Sequence, residues 1–248
     1  MSSPRRLLIT SCIRQKPQVL GLFLNGLGRL VIPPGWQADH LIQTNGNTPQ
    51  AQAMVTEWAV RHGATLWERD NQEPYGRDGI QHGWTISQIN RVAAFKDEIL
   101  DYAVEAGYDA VFLADSDLIM DPRTLLHLSV PGLAIISEIY WTQCTPGSIE
   151  MPNVWLQDQY ALTMWGKYMD EDSRDEAQIQ LLNQLRLPGV YQVGGLGGCT
   201  WLHRAPLVAG VRFRPILNLS LLGEDRHFCV RADVLGFPLH IDTHVPAF

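Results

Sequence analysis

Residues 109–117 read DAVFLADSD, and this stretch decides the fold of the 248-residue chain. Its centre is a continuous apolar run, which is typical of a central strand buried on both faces of a parallel sheet. The run stops at Asp115, and Asp117 follows two residues later. Because residues i and i+2 of an extended chain point to the same side, the two carboxylates can converge on one point. The stretch therefore predicts an acidic ligand site at the carboxyl end of a buried strand, where open α/β sheets bind ligands.

Short apolar segments alternate with helical patterns on both sides of this strand. Such alternation predicts an α/β fold, in which helices cover a mainly parallel sheet. A loop is predicted at 140–152, which is rich in Pro, Gly, Ser and Thr. The predicted strands are residues 7–11, 40–43, 64–68, 109–114, 133–139 and 237–242, and the predicted helices are residues 17–30, 49–62 and 86–105, with a fourth that Ser173 and Glu176 cap and that runs to about residue 185.

The helix at 86–105 has the clearest signals at its ends. Thr85 and Gln88 have the spacing of a capping box, and Gly107 marks the end of the helix. Lys96 falls on the apolar stripe of this helix, which leaves two interpretations open. Its stem could cover the edge of the core while the ammonium reaches water, or the ammonium could emerge at the edge of the sheet and face a phosphate.

Composition limits the kind of protein. With 46% hydrophobic residues and no evident linker, a single domain over residues 1–248 is the simplest expectation. A net charge of −7 argues against nucleic acid as a partner. No apolar stretch approaches the roughly 20 residues of a membrane span, so membrane contact would be peripheral. The four scattered cysteines (12, 144, 199 and 229) and the lack of a signal peptide favour a cytoplasmic protein with free thiols.

Asp115 and Asp117 repel each other when both are ionised, unless a divalent cation or a shared proton relieves them. Oxygen ligands suit Mg²⁺ or Mn²⁺, and either ion would bridge the phosphate oxygens of a substrate. The competing interpretation is a solvated turn in which an aspartate caps the next helix.

Two other loops have the composition of ligand sites. The loop at 11–17 precedes a helix, whose N-terminal N–H groups favour anions, and it carries Arg14 and Lys16. The loop at 194–200 reads GGLGGCT, which lacks the GxGxxG spacing of a dinucleotide fingerprint. Its glycines are expected to let the backbone approach a donor sugar or an acceptor closely.

Three stretches together resemble GT-A glycosyltransferases, in particular family-2-like members. They are VFLADSDL at 111–118, the helix at 90–103 before it, and GEDRHFCVRA at 223–232 with Gly236 beyond. The resemblance spans residues 7–244. It implies a mixed, mostly parallel sheet, with a nucleotide-binding half at about 1–118 and an acceptor-binding and catalytic half at about 119–248.

The resemblance also implies roles for individual residues. Asp225 matches the general base of inverting members, while Glu224 is expected to point elsewhere and either orient the acceptor or cap the helix. His244 matches a late histidine that completes the metal shell or touches the diphosphate. The implied metal ligands are Asp115, Asp117 and His244, and the candidate contacts to the nucleotide-sugar are Ile13, Arg14, Asn45, Lys96, Asp115, Ser116 and Gly195.

The function expected from these residues is Mn²⁺- or Mg²⁺-dependent transfer of a sugar from a nucleoside diphosphate sugar to an unknown hydroxyl acceptor. A UDP-sugar is favoured, a GDP-sugar is possible, and inversion is expected because of Asp225. A retaining transferase, a nucleotidyltransferase and a non-catalytic binding scaffold are the alternatives. The loop at 11–17 contains no glycine, which argues against the nucleotidyltransferase.

Overall fold

The computed structural model describes residues 3–69, 77–78, 81–82, 85–129, 132–143, 146–157, 161–163, 170–220 and 223–248. Its helices are α1 (Pro17–Leu27), α2 (Pro49–His62), α3 (Ile86–Glu105), α4 (Thr124–Ser129), α5 (Glu171–Leu185), α6 (Arg204–Val208) and α7 (Glu224–Val234). Its strands are β1 (Arg5–Ile13), β2 (Trp36–Asn45), β3 (Thr65–Arg69), β4 (Arg77–Asp78), β5 (Gln81–His82), β6 (Ala110–Ala114), β7 (Ile135–Thr142), β8 (Met151–Pro152), β9 (Val190–Val193), β10 (Cys199–His203) and β11 (Leu239–Ala247).

One mixed sheet organises the molecule, in the order β3-β2-β1-β6-β10-β7-β11-β9. Strands β1, β2, β3 and β6 are parallel to one another, and β7 is parallel to β11. Strand β10 runs antiparallel between β6 and β7, and β9 is antiparallel to β11. The predicted fold class, a mixed and mostly parallel sheet flanked by helices, is confirmed.

The central strand β6 is buried on both faces, as its apolar run predicts. Val111 and Leu113 belong to a core cluster that includes Ala93 of α3. Phe112 belongs to a second cluster, which includes residues of α1 and α2 on the other side of the sheet. Continuing this alternation places the side chain of Asp115 on the face that α3 covers.

The ends of α2 and α3 follow their local signals. The Thr48 side chain accepts a hydrogen bond from Ala51 N, and α2 ends at Gly63, whose φ of 63° is left-handed. The capping box between Thr85 and Gln88 is present at the start of α3. These predicted boundaries are confirmed, because short-range hydrogen bonds decide them.

Other boundaries differ from the prediction. Helix α5 begins after Asp170, whose side chain accepts from Ser173 N, so Ser173 lies inside the helix and is not its cap. The predicted loop at 140–152 is partly strand, since Trp141 pairs with Pro152 and β8 adds an antiparallel strand to β7. Strand β11 continues to Ala247, five residues past the predicted end. Two of these are strand pairings, which depend on a distant neighbour and leave no local signal.

Two sequence predictions concern membrane-spanning helices and the oxidation state of the cysteines. Within the described ranges, no helix has the length and apolar character needed to cross a membrane. Cys12, Cys199 and Cys229 are free thiols. Cys144 lies outside the described residues.

Candidate active site

The candidate site lies where β6 ends. The Asp115 backbone N–H donates to the Gly198 carbonyl at 2.7 Å, which fixes the chain as it leaves the sheet. Ser116 is buried in the turn that follows, and Asp117 comes next. The Asp115 side chain is 38% exposed, so this carboxylate lines the surface of the site while its backbone is held by the sheet.

Helix α7 supplies two more carboxylates. It begins at Glu224, directly after Gly223, whose φ of 99° only glycine adopts readily. Glu224 and Asp225 occupy the first turn, where the helix dipole favours negative charge. The side chains of Glu224 and Asp225 are 17% and 29% exposed.

Lys96 joins the two groups of carboxylates. Its ammonium lies 3.0 Å from Glu224 Oε1, 3.4 Å from Asp225 Oδ1 and 3.5 Å from Asp115 Oδ1. The residue is 2% exposed. Neither interpretation offered by the sequence describes this arrangement, because the ammonium does not reach water and faces carboxylates. Glu224 and Asp225 also do not point apart, since both converge on the same ammonium.

The electrostatics of this cluster follow from burial and from an excess of negative charge. Burial raises the pKa of Asp225 to about 7, Lys96 opposes that rise, and Glu224 and Asp115 add to it. Burial also raises the pKa of Asp115 to about 6, with Asp117 contributing. Burial lowers the pKa of Lys96, but the surrounding carboxylates outweigh it, so that pKa lies well above its ordinary value. Lys96 is therefore a fixed positive charge beside Asp115 and Asp225, whose pKa values are raised towards neutral pH.

The glycine-rich loop lies against this cluster at Gly197 rather than at Gly195. A Cβ added to Gly197 would lie 2.4 Å from Asp225 Oδ2, so any larger residue would have to displace that carboxylate. Gly195 is buried against the ring of Trp155, where an added Cβ would lie 1.9 Å from a ring carbon. The structure thus assigns Gly195 a packing contact, and the close approach to the site that the sequence predicts occurs two residues later.

His244 lies at an irregular part of β11, where the register with β7 shifts. The carboxylate of Asp242, which is 1% exposed, accepts from the His244 backbone N–H at 2.9 Å and contacts its ring Nδ1 at 3.0 Å. The His244 ring also stacks on His127 of α4, with centroids 5.1 Å apart. Ligand atoms of His127, Asp242 and His244 lie within 4.8 Å of one another. Among the described residues, no such group joins His244 to Asp115 and Asp117.

Glu138 is a buried carboxyl that the sequence analysis did not single out. It is 0% exposed, lies opposite Asp242 in the β7–β11 register, and neither of its carboxyl oxygens has a hydrogen-bond partner of normal geometry. Burial, with the charge of Asp242, raises its pKa to about 9. The signal available in the sequence was a single glutamate inside an apolar strand, which a parallel sheet rarely buries.

The predicted nucleotide contacts lie at the carboxyl ends of β1 and β2. The Ile13 side chain is 0% exposed in the core, and its carbonyl accepts from Asn47 Nδ2, so that side chain is not available to a ligand. Arg14 is half-buried just beyond β1. Asn45 ends β2, and its Oδ1 is buried without a partner among the described residues. Because that oxygen is buried, it is not accessible to a ligand in this structure, and leaving it unpaired costs free energy.

The fold is similar to that of solved glycosyltransferase structures. Two solved structures carry this conclusion, and their low identities make it a statement about fold alone. TarS 1–349 of S. aureus in complex with UDP has a TM-score of 0.56 at 12% identity. The alignment covers 98% of this chain and 59% of the TarS chain. The mannosyltransferase PcManGT of Pyrobaculum calidifontis, in complex with GDP-Man and Mn²⁺, has a TM-score of 0.53 at 13% identity. The alignment covers 97% of this chain and 57% of the PcManGT chain.

One curated sequence is similar to the chain. A Glycosyltransferase 25 family member from Drosophila pseudoobscura pseudoobscura is 25% identical over 170 residues, which are 63% of this chain and 27% of that protein. The chain therefore spans about a quarter of the length of this relative. No protein-family model matches the chain.

Proposed function

We propose that the chain is a metal-dependent glycosyltransferase that moves a sugar from a nucleoside diphosphate sugar to a hydroxyl acceptor. The observation that carries the proposal is the buried cluster in which Lys96 joins Asp115, at the end of β6, to Glu224 and Asp225, at the start of α7. This cluster lies at the carboxyl edge of the sheet, where α/β folds bind nucleotides. A UDP-sugar is the favoured donor and a GDP-sugar the second candidate, and the relatives in complex with UDP and with GDP-Man support both.

The residues present fit a divalent cation. Lys96 is the one cation that the structure places among Asp115, Glu224 and Asp225, and Asp117 adds a further negative charge to Asp115. Hard carboxylate oxygens are what Mg²⁺ and Mn²⁺ prefer. Asp115 and Asp117 would hold the ion, and His244, which lies with His127 and Asp242 in this structure, would have to move towards them to become a further ligand. When bound, the ion supplies positive charge to the diphosphate that leaves the sugar.

Asp225 is the proposed general base. It is partly exposed, and its raised pKa, about 7, is near the optimum for proton transfer at neutral pH. Two residues fix the position of its carboxylate. Lys96 contacts Oδ1, and Gly197, which has no side chain, leaves room for Oδ2. A base held in this way removes the proton of the acceptor hydroxyl as that oxygen attacks the sugar, which leads to inversion.

Glu224 has a positioning role in this proposal. It makes the shortest contact to the Lys96 ammonium, and that contact holds the lysine where it also reaches Asp115 and Asp225. At the other end of the site, Arg14 is suited to a phosphate or ribose of the donor.

The proposal is tested by the release of nucleoside diphosphate from UDP- and GDP-sugars, with Mn²⁺, Mg²⁺ or EDTA. We expect release that EDTA abolishes and that Asp117→Asn and Asp225→Asn each reduce by at least about 100-fold. Asp233→Asn, an exposed aspartate on the same helix, is the matched control.

The products separate the alternatives. Pyrophosphate release would identify a nucleotidyltransferase, and retention of the anomeric configuration in the product would identify a retaining transferase. Donor binding, detected as a thermal shift, without turnover of any donor would favour a binding scaffold. Turnover that survives Asp225→Asn would remove Asp225 as the base.

A further inference from the structure

A cavity of about 330 Å³ opens beside the candidate site, between the first half of α3, the segment 213–220 and the first turn of α7. Its walls are mainly apolar. The side chains that matter here are Ile89, Ala93, Phe213, Ile216, Leu219 and Glu224.

The cavity lies along one face of α3, opposite an irregular segment of the described chain. Ile86, Ile89 and Ala93 lie on one face of α3, at the i, i+3 and i+7 positions that normally pack against another element. The chain opposite them is an irregular segment containing Pro215. Ile86 remains 65% exposed and Leu217 remains 96% exposed. Apolar side chains are therefore left open to solvent on both sides of the cavity.

The cavity reaches the carboxylate cluster. Glu224 lines it and accepts a hydrogen bond from Lys96 at 3.0 Å. Phe213 also lines it, and the Lys96 ammonium lies 5.0 Å from the centre of that ring. A molecule in the cavity therefore lies beside the residue that precedes the proposed base, Asp225.

The chemistry of the walls limits what the cavity can hold. A sugar ring needs several hydrogen bonds, but the His227 Nδ1 already accepts from the Ile216 backbone N–H. The other polar side chains are Glu224, which already accepts from Lys96, and Asn90 and Ser220, which are exposed, so the enclosed part of the wall is apolar. The volume is near the lower end of small-molecule sites, which suits a short alkyl chain or a single aromatic ring.

We propose that this cavity is an acceptor subsite for an apolar group, so that the substrate receiving the sugar is an amphiphilic alcohol whose alkyl or aryl group lies next to the reacting hydroxyl. The inference rests on the proposed function, because it takes Asp225 as the base. It adds the chemical class of the acceptor, which neither the fold nor the relatives specify.

The test compares methyl, butyl and octyl alcohol as acceptors, each below its solubility limit, with the donor that the release assay identifies. Each methylene that enters the cavity should raise kcat/KM by about fourfold until the cavity is full. In Ile216→Asn, the ratio of octyl to methyl kcat/KM should fall by at least tenfold. Ile179→Asn, at an exposed isoleucine of α5, should keep the wild-type ratio.

The outcomes distinguish this inference from the proposed function. Equal kcat/KM for methyl and octyl acceptors, with active transfer, would overturn the apolar subsite and leave the transferase intact. A wild-type octyl preference in Ile216→Asn would place the apolar group elsewhere and also overturn it. If no donor is turned over under any condition, the proposed function fails and the acceptor subsite fails with it.

Discussion

Lys96 and Glu224 form an ion pair of 3.0 Å across 128 residues of sequence, and the lysine is 2% exposed. The pair ties α3 to the start of α7 and brings the carboxylates of the site to one ammonium. A buried charge of this kind is costly without partners, so each member of the cluster depends on the others. Stability and activity are therefore expected to respond together to changes here.

Lys96→Met should lower the free energy of unfolding by roughly 3 kcal/mol at pH 8, because three carboxylates lose their common cation. Removing that cation raises the pKa values of Asp115 and Asp225 further, since Lys96 lowers both, so the folded variant takes up protons as the pH falls. The loss should therefore be smaller at pH 5.5, as measured by urea denaturation at both values. Lys16→Met, at an exposed lysine, is the control. An equal loss at the two pH values would contradict this account.

The pH dependence of kcat/KM should report the base. Because the pKa of Asp225 is raised to about 7 and the base acts when ionised, kcat/KM should fall about tenfold per pH unit below 7 and level off above 8. Steady-state rates over pH 5.5–9 measure this profile. A rate that is flat between pH 5.5 and 7.5 would mean that another group is the base.

Gly197→Ala should displace Asp225, since the added methyl would lie 2.4 Å from Oδ2. We expect kcat to fall by about 10- to 100-fold, because small misplacements of a catalytic group are costly. The thermal shift with nucleoside diphosphate should persist. Gly21→Ala is a fair comparison, because its methyl would lie at an ordinary 3.4 Å from Met54 Cε. Full activity in Gly197→Ala would show that this contact does not position the base.

Glu138 should make the metal-free protein less stable as the pH rises. Its pKa of about 9 in the fold exceeds that of an unfolded glutamate, so the folded state holds an extra proton between about pH 4.5 and 9. In EDTA at pH 8.5, Glu138→Gln should be more stable than wild type by roughly 1–3 kcal/mol, and the advantage should shrink towards pH 5. Chemical denaturation measures both, with the exposed Glu105→Gln as control. Equal destabilisation by Glu138→Gln at both pH values would argue that the carboxylate is ionised and paired.

Asp242 should contribute to metal affinity through His244. Its carboxylate holds the His244 Nδ1, which leaves Nε2 as the nitrogen available to an ion. Asp242→Asn should therefore weaken Mn²⁺ binding by about 10- to 100-fold, as followed by electron paramagnetic resonance titration. His127→Ala in the same titration shows whether the stacked ring is also a ligand. Wild-type affinity in Asp242→Asn would separate His244 from the metal.

The sequence by itself determined the elements whose signals are local. The apolar run of β6, the Thr48 cap and Gly63 at the ends of α2, and the capping box of α3 fixed these segments, because each depends on hydrogen bonds or burial within a few residues. It also predicted that Asp115 and Asp117 would follow a central strand. Asp225 was expected near the start of a late helix. The motif order was enough for the fold class.

Only the tertiary structure decided where those segments meet. From the sequence, Lys96 was expected either to cover the edge of the core or to face a phosphate. Its contacts with Glu224 and Asp225 follow only from the packing of α3 beside α7. Glu138 and Asp242 became neighbours through the register of two strands about 100 residues apart. The contact of Gly197 with Asp225 likewise joins two separate elements. Contacts of this kind depend on how whole elements pack against one another, and no stretch of local sequence contains that information.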